Sequence, residues 1–188
     1  MRRCLIFGGR YGEVFVLTRT KEENKAMCER YPFLIPWNRW SGKLITEAKD
    51  GGYWPGNPDK VPEYDYEYTE VDDMPDGWWI AFGEQMCEEL RTALIDDGDL
   101  DRYRVVQCKE KYGGLRWYDN GCRVGSRVHD IVRKYEGMSY RICIVCGKPA
   151  TQITTGWISP FCDDCCINCG IGKSVPIDEW FMKIEEDD

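Results

Sequence analysis

Residues 143–170, CIVCGKPATQITTGWISPFCDDCCINCG, hold six of the chain's eleven cysteines. Cys143 and Cys146 form one C-x2-C pair, and fifteen residues further on Cys162 and Cys165 form another. C-x2-C-x15-C-x2-C falls within the spacing of a four-thiolate zinc site. Each pair can turn two sulfurs toward one ion at about 2.3 Å. The stretch between them is long enough for a hairpin that folds the pairs together. Cys166 and Cys169 repeat the spacing, and Gly170 follows them as Gly147 follows Cys146. Cys162 and Cys165 are preferred because the hairpin leading into them ends at Pro160. Cys166 and Cys169 stand as alternative ligands, or as ligands of a second ion. Four thiolates close the coordination shell, whereas a catalytic zinc keeps a position for water. The expected cofactor is therefore a structural Zn2+, since a lobe of roughly 25 residues has too little core to stand alone.

Upstream, the chain has the composition of a folded protein, with 43% apolar and 13% aromatic residues in 188. The fold expected is α+β: a small antiparallel sheet with two or three helices, plus the C-terminal zinc-ribbon-like lobe. Four segments are expected, at 1–62, 63–140, 141–170 and 171–188. CLIFGG and EVFVLT read as short strands. Thr20 and Glu23 have the spacing of a capping box, starting a helix that Pro32 closes. Residues 31–43, with two prolines and two tryptophans, read as an ordered loop or edge segment, and 47–62 as a Gly/Pro-rich connection. EYDYEYTEV alternates strictly, which predicts a half-buried strand with one acidic face. From Pro75 to Gly98 a helix is expected, with Trp78, Trp79, Phe82, Met86, Leu90 and Leu94 as its buried stripe and Cys87 beside it. Ser126 caps a further helix to about Tyr135. PIDEWFMKIEEDD fits a short amphipathic helix with Ile177, Trp180, Phe181 and Ile184 on one side.

VVQCKEKYGGLRWYDNG predicts a hairpin. Gly113-Gly114 fits a two-residue turn, which pairs Lys111 with Arg116 and Lys109 with Tyr118. Like charges would then face each other directly, which costs stability. Lys109, Lys111 and Arg116 are thus candidates for contact with a partner, and basic residues interleaved with Tyr and Trp suit single-stranded nucleic acid. Charge is uneven along the chain. Net charge is −8 overall, −8 over residues 71–102 alone and +5 over 103–141, which suggests one acidic and one basic face. No enzyme is expected. The single histidine, His129, belongs to no His-x-Glu pattern of a zinc deaminase, and GGRYG lacks a P-loop lysine. The apolar stretch at the start is too short for a secretory signal and no run is long enough for a membrane span, so a cytoplasmic protein is expected.

Four stretches together, YPFLIPWNRWSGK, MPDGWWIAFGEQMCEEL, VVQCKEKYGGLRWYDNG and CIVCGKPATQITTGWISPFCDDC, resemble a family of small proteins of bacterial prophages and mobile elements. The resemblance spans roughly residues 31–166, and KEKYGGLRWY and the cysteine frame are its specific parts. It supplies context and no catalytic residues. A small acidic protein of this type is similar to the inhibitors that phages deploy against host defence nucleases, among them the anti-CRISPR proteins. The resemblance implies a stoichiometric inhibitor whose partner is an RNA-guided or other defence nuclease. Asp65, Glu67, Asp72 and Asp73 are candidates to occupy its basic channel, because carboxylates two residues apart on a strand lie about 6.6 Å apart. The alternative is a nucleic-acid-binding zinc-ribbon accessory protein that uses the basic hairpin.

Overall fold

The computed structural model describes residues 19–38, 43–44 and 64–187. The strands expected in CLIFGG and EVFVLT and the connection at 47–62 lie outside the described residues. The architecture is α+β, with five helices and three small antiparallel sheets among the described residues.

Helix α1 (Lys21–Arg30) starts at the expected capping box. Thr20 Oγ1 accepts from the Glu23 amide, and the Glu23 carboxylate accepts from the Thr20 amide. The helix buries Asn24, Met27 and Cys28. Its Asn24 amide group donates to the Tyr66 carbonyl at 2.8 Å, tying α1 to the segment after residue 63. A single 3-10 turn (Pro32–Leu34) then drives Phe33 and Leu34 into the core. Strands β1 (Trp37–Asn38) and β2 (Lys43–Leu44) form a two-stranded sheet.

The alternating tyrosine stretch is not a strand. In an extended chain Tyr64 and Tyr68 would stand about 13 Å apart, yet their ring centroids lie 5.9 Å apart. The Tyr64 hydroxyl donates to the Tyr68 carbonyl, and Tyr66 takes the left-handed conformation at φ 62°. The acidic residues cause the fold-back. Asp65 accepts from the Glu67 amide, and Asp72 accepts from the Thr69 amide at 2.7 Å. Short carboxylates that bond nearby amides compete with strand pairing in this way.

Helix α2 runs through three consecutive segments: an α turn (Asp76–Trp78), a π turn (Trp79–Gly83) and a longer α-helix (Glu84–Asp97), ended by Gly98. Trp78, Phe82, Met86, Leu90 and Leu94 are buried, as is Cys87, while Trp79 is half-buried beneath the Arg19 guanidinium. Buried residues at strict i+4 spacing drift about 40° per step around a 3.6-residue helix. The wider π turn takes up part of that drift.

Strands β3 (Val105–Lys111) and β4 (Gly114–Asp119) form the expected hairpin, one residue out of the expected register. The turn is Tyr112-Gly113, with φ of 53° and 77°, as a type I′ turn requires at both central positions. Lys109 therefore faces Arg116, and Lys111 faces Gly114. Gly114 serves a different need. A Cβ there would lie 2.4 Å from the Tyr140 ring, so the strand can pass Tyr140 only as glycine. Helix α3 (Val128–Ser139) packs across β4 and extends past the expected end at Tyr135. Ser126 Oγ accepts from the Val128 amide.

The C-terminal lobe holds β5 (Gln152–Thr154), β6 (Pro160–Phe161), helix α4 (Asp163–Asn168), β7 (Ser174–Pro176) and helix α5 (Ile177–Asp187). Its sheet has the order β6-β5-β7. Residues after 170 thus complete the lobe's own sheet.

Candidate metal centre

The first cysteine pair sits on a tight turn. Cys143 N donates to the Lys148 carbonyl, and Gly147 N donates back to the Cys143 carbonyl. Gly147 takes φ 78° where the chain reverses. The second pair belongs to α4: Cys162 precedes its first residue, and Cys165 lies one turn in. The β5–β6 hairpin carries the chain between the two. Asp163 and Asp164 fall in the first turn of α4, where negative charge suits the helix dipole. Asp163 accepts from Thr151, and Asp164 pairs with Lys148 at 3.1 Å, so the carboxylates clamp helix, hairpin and turn together.

This frame brings the sulfurs of Cys143, Cys146, Cys162 and Cys165 within 4.8 Å of one another. The four cysteines are positioned to hold a metal ion. Cys146 and Cys162 Sγ are 3.6 Å apart, far beyond the roughly 2.05 Å of a disulfide. A tetrahedral ion with sulfur ligands at about 2.3 Å has an edge of about 3.8 Å, so the spacing fits metal coordination. Cys166 and Cys169 are not part of this group. Cys166 turns toward Ser174 on β7, and Cys169 is buried beside the cluster.

Burial pushes the Cys143 thiol up to about 11, against hydrogen bonds from the amides of Cys162, Cys146 and Val145. Burial also raises Cys165, followed by the charge of Cys143. At Cys146 burial is outweighed by the Lys148 amide and the neighbouring thiols, and the thiol is lowered. Binding of an ion to such a set displaces protons as it forms sulfur bonds.

The other sequence candidates are dispersed. Lys109 and Lys111 lie on β3 with their ammonium groups over the rings of Tyr118 and Tyr112. Arg116 points inward: its guanidinium donates to the Tyr140 hydroxyl at 2.8 Å and to the Leu115 carbonyl. Asp65 pairs with Lys21 and Asp72 with Arg19, while Glu67 and Asp73 are exposed. The four acidic candidates share no strand face, because the strand is absent. His129 is exposed on α3. Sequence reasoning missed Trp157, which is 79% exposed at the β5–β6 turn, and passed over Tyr112, 67% exposed at the β3–β4 turn. Their signal was position: each is a large aromatic at a hairpin tip.

No protein-family model, no curated protein and no solved structure matches the chain. Among the described residues no helix is long and apolar enough to cross a membrane.

Proposed function

We propose that the protein is a non-enzymatic binding protein built around one structural zinc ion, and that it engages nucleic acid through its basic hairpin. The observation that carries the first part is the sulfur group itself. Four thiolates fill a tetrahedral shell, and a filled shell stabilises a fold without offering an ion a reactive water. Elemental analysis of protein purified without chelator is expected to give one zinc per chain. Cys146→Ser is expected to abolish that zinc and Cys166→Ser to leave it in place. A full zinc complement in Cys146→Ser would overturn the assignment.

Nucleic acid is favoured as the partner by which charges are already engaged. Asp65 and Asp72 are ion-paired within the chain. Among the described residues Lys109 and Lys111 have no carboxylate partner within ion-pair distance, and the surrounding segment carries net +5. Lys111 is exposed and Lys109 half-buried, and lysines without carboxylate partners are suited to phosphates.

The second reading is the stoichiometric inhibitor of a defence nuclease, anti-CRISPR-like. It is supported by the likeness to prophage proteins and by the net charge of −8 over residues 71–102. Titration against an RNA-guided nuclease separates the two. Inhibition saturating near equimolar protein, reduced by reversal of Glu67 and Asp73 to lysine, favours the inhibitor. Salt-sensitive binding to free DNA with no effect on the nuclease favours nucleic acid.

A further inference from the structure

The hairpin of the core and the hairpin of the metal lobe meet at their tips. A Cβ on Gly113, in the β3–β4 turn, would lie 3.0 Å from Ile158 Cγ2 and 3.4 Å from the Ile158 carbonyl, in the β5–β6 turn. Tyr112 and Trp157 each stand one residue from that contact, so two exposed aromatic side chains from distant parts of the sequence flank one junction. Two features make the junction firm. Ile158 packs on the small core of Ala150, Ile153 and Ile177, and Tyr140 is wedged against Gly114 while its ring meets Phe181 of α5 edge-on. Positive charge borders it. Lys111 lies over the Tyr112 ring and Lys109 over the Tyr118 ring.

We infer that this junction is a binding site for single-stranded nucleic acid, with Tyr112 and Trp157 as stacking surfaces for bases and Lys109 and Lys111 as phosphate contacts. The inference rests on the nucleic-acid reading above and makes it specific. Bases in a duplex are already stacked on one another, so exposed rings gain a base only where the strand is single. Stacking on aromatic side chains is tolerant of sequence because every base has a π face. A protein partner is the weaker match, since protein interfaces are depleted in lysine, whereas lysine is the charged residue that borders these rings. Both aromatics are largely in water, and a base stacking on Tyr112 has only the Lys111 ammonium over that ring to displace toward its own phosphate.

The test is fluorescence anisotropy with a labelled 20-mer of thymidine and with a duplex of equal length, across a salt series. Tight binding of the single strand is expected, with a log–log salt slope that falls by about 0.7 for each lysine neutralised in Lys109→Gln and Lys111→Gln. Trp157→Ala and Tyr112→Asn are each expected to weaken binding by roughly five- to 150-fold, the range for loss of one stacked base. Asparagine is chosen because it tolerates the left-handed turn position. Ile95→Ala, exposed on α2, should change nothing. Thermal melts of all variants should match the parent, since the replaced side chains are on the surface. Single-strand binding unchanged in both aromatic variants would overturn the stacking site. Equal or tighter binding of the duplex would overturn the single-strand preference while leaving the nucleic-acid reading standing. Binding of neither probe at low salt would overturn both.

Discussion

Arg116 shows how one residue's role depends on a register that the local sequence does not set. With Gly113-Gly114 as the turn, Arg116 would face Lys111 and its removal would relieve repulsion. In the observed register it still faces a lysine, Lys109, but its guanidinium turns toward α3, where it donates to Tyr140 and lies 5.8 Å from that ring's centre. Arg116→Gln is therefore expected to lower stability by about 1 kcal/mol, the usual net value of such a bond. An unchanged Tm would show that the Tyr140 contact contributes nothing. Asp99 makes a second case. It is buried just past the end of α2, and Arg123 and then Arg102 hold its carboxyl down to about 2. A carboxylate depressed in the folded state stabilises the fold above its unfolded value near 3.9, and that contribution is lost as pH falls toward the folded value. The stability gap between the parent and Asp99→Asn should be full at neutral pH and shrink between about pH 4 and pH 2. Denaturant melts across that range check the sign.

At the scale of elements, the outer edge of β4 is closed by side chains of a helix. The Leu115 amide donates to Ser139 Oγ at 2.8 Å, and the Trp117 amide donates to the Glu136 carboxylate at 3.0 Å. An uncovered edge is a template for pairing with another chain; here α3 occupies it. Ser139→Ala leaves a buried amide without an acceptor, which costs about 1–3 kcal/mol. It is expected to lower the denaturant midpoint without changing the slope. Most elements were legible in the sequence. Thr20 and Glu23 announced α1, the i+4 series from Trp78 announced α2, and two C-x2-C pairs announced the metal group, because each signal is local. Two were not. Gly114 reads as a turn residue until Tyr140, 26 positions away, supplies the steric reason for it. The tyrosine stretch alternates like a strand, but nothing in it states that Asp65 and Asp72 will capture amides of their own segment. The exposed pair of aromatics was hidden for the same reason, since only the folded chain brings residues 112 and 157 to one place.

Across the whole molecule, the metal group is coupled directly to the main core. Gly77 N donates to the Ile144 carbonyl, Trp78 Nε1 donates to the Ile142 carbonyl, and Ile144 packs on both hydrophobic clusters. The turn that bears Cys143 and Cys146 is thus also the seat of the first turn of α2. Removal of a metal held by the four cysteines should loosen more than the lobe. Hydrogen exchange after chelation is expected to show lost protection at residues 76–83 together with 143–170, and retained protection in α1. Exchange confined to 143–170 would show that the two parts melt separately. The same coupling would give the proposed single-strand site a dependence on metal, because Trp157 is carried by the lobe and Tyr112 by the core.

The contact of Gly77 with the metal-bearing turn has a genetic consequence. A Cβ on Gly77 would stand 2.1 Å from the Cys143 carbonyl oxygen, and one on Gly147 would stand 2.7 Å from the Gly77 carbonyl oxygen. In each direction the obstacle is main chain, which no substitution elsewhere can shorten. A library of variants should accept only glycine at either position, and a screen for suppressors of Gly77→Ala should return revertants and no second-site rescue. The two positions would then stay glycine while the hydrophobic positions around them exchange with one another.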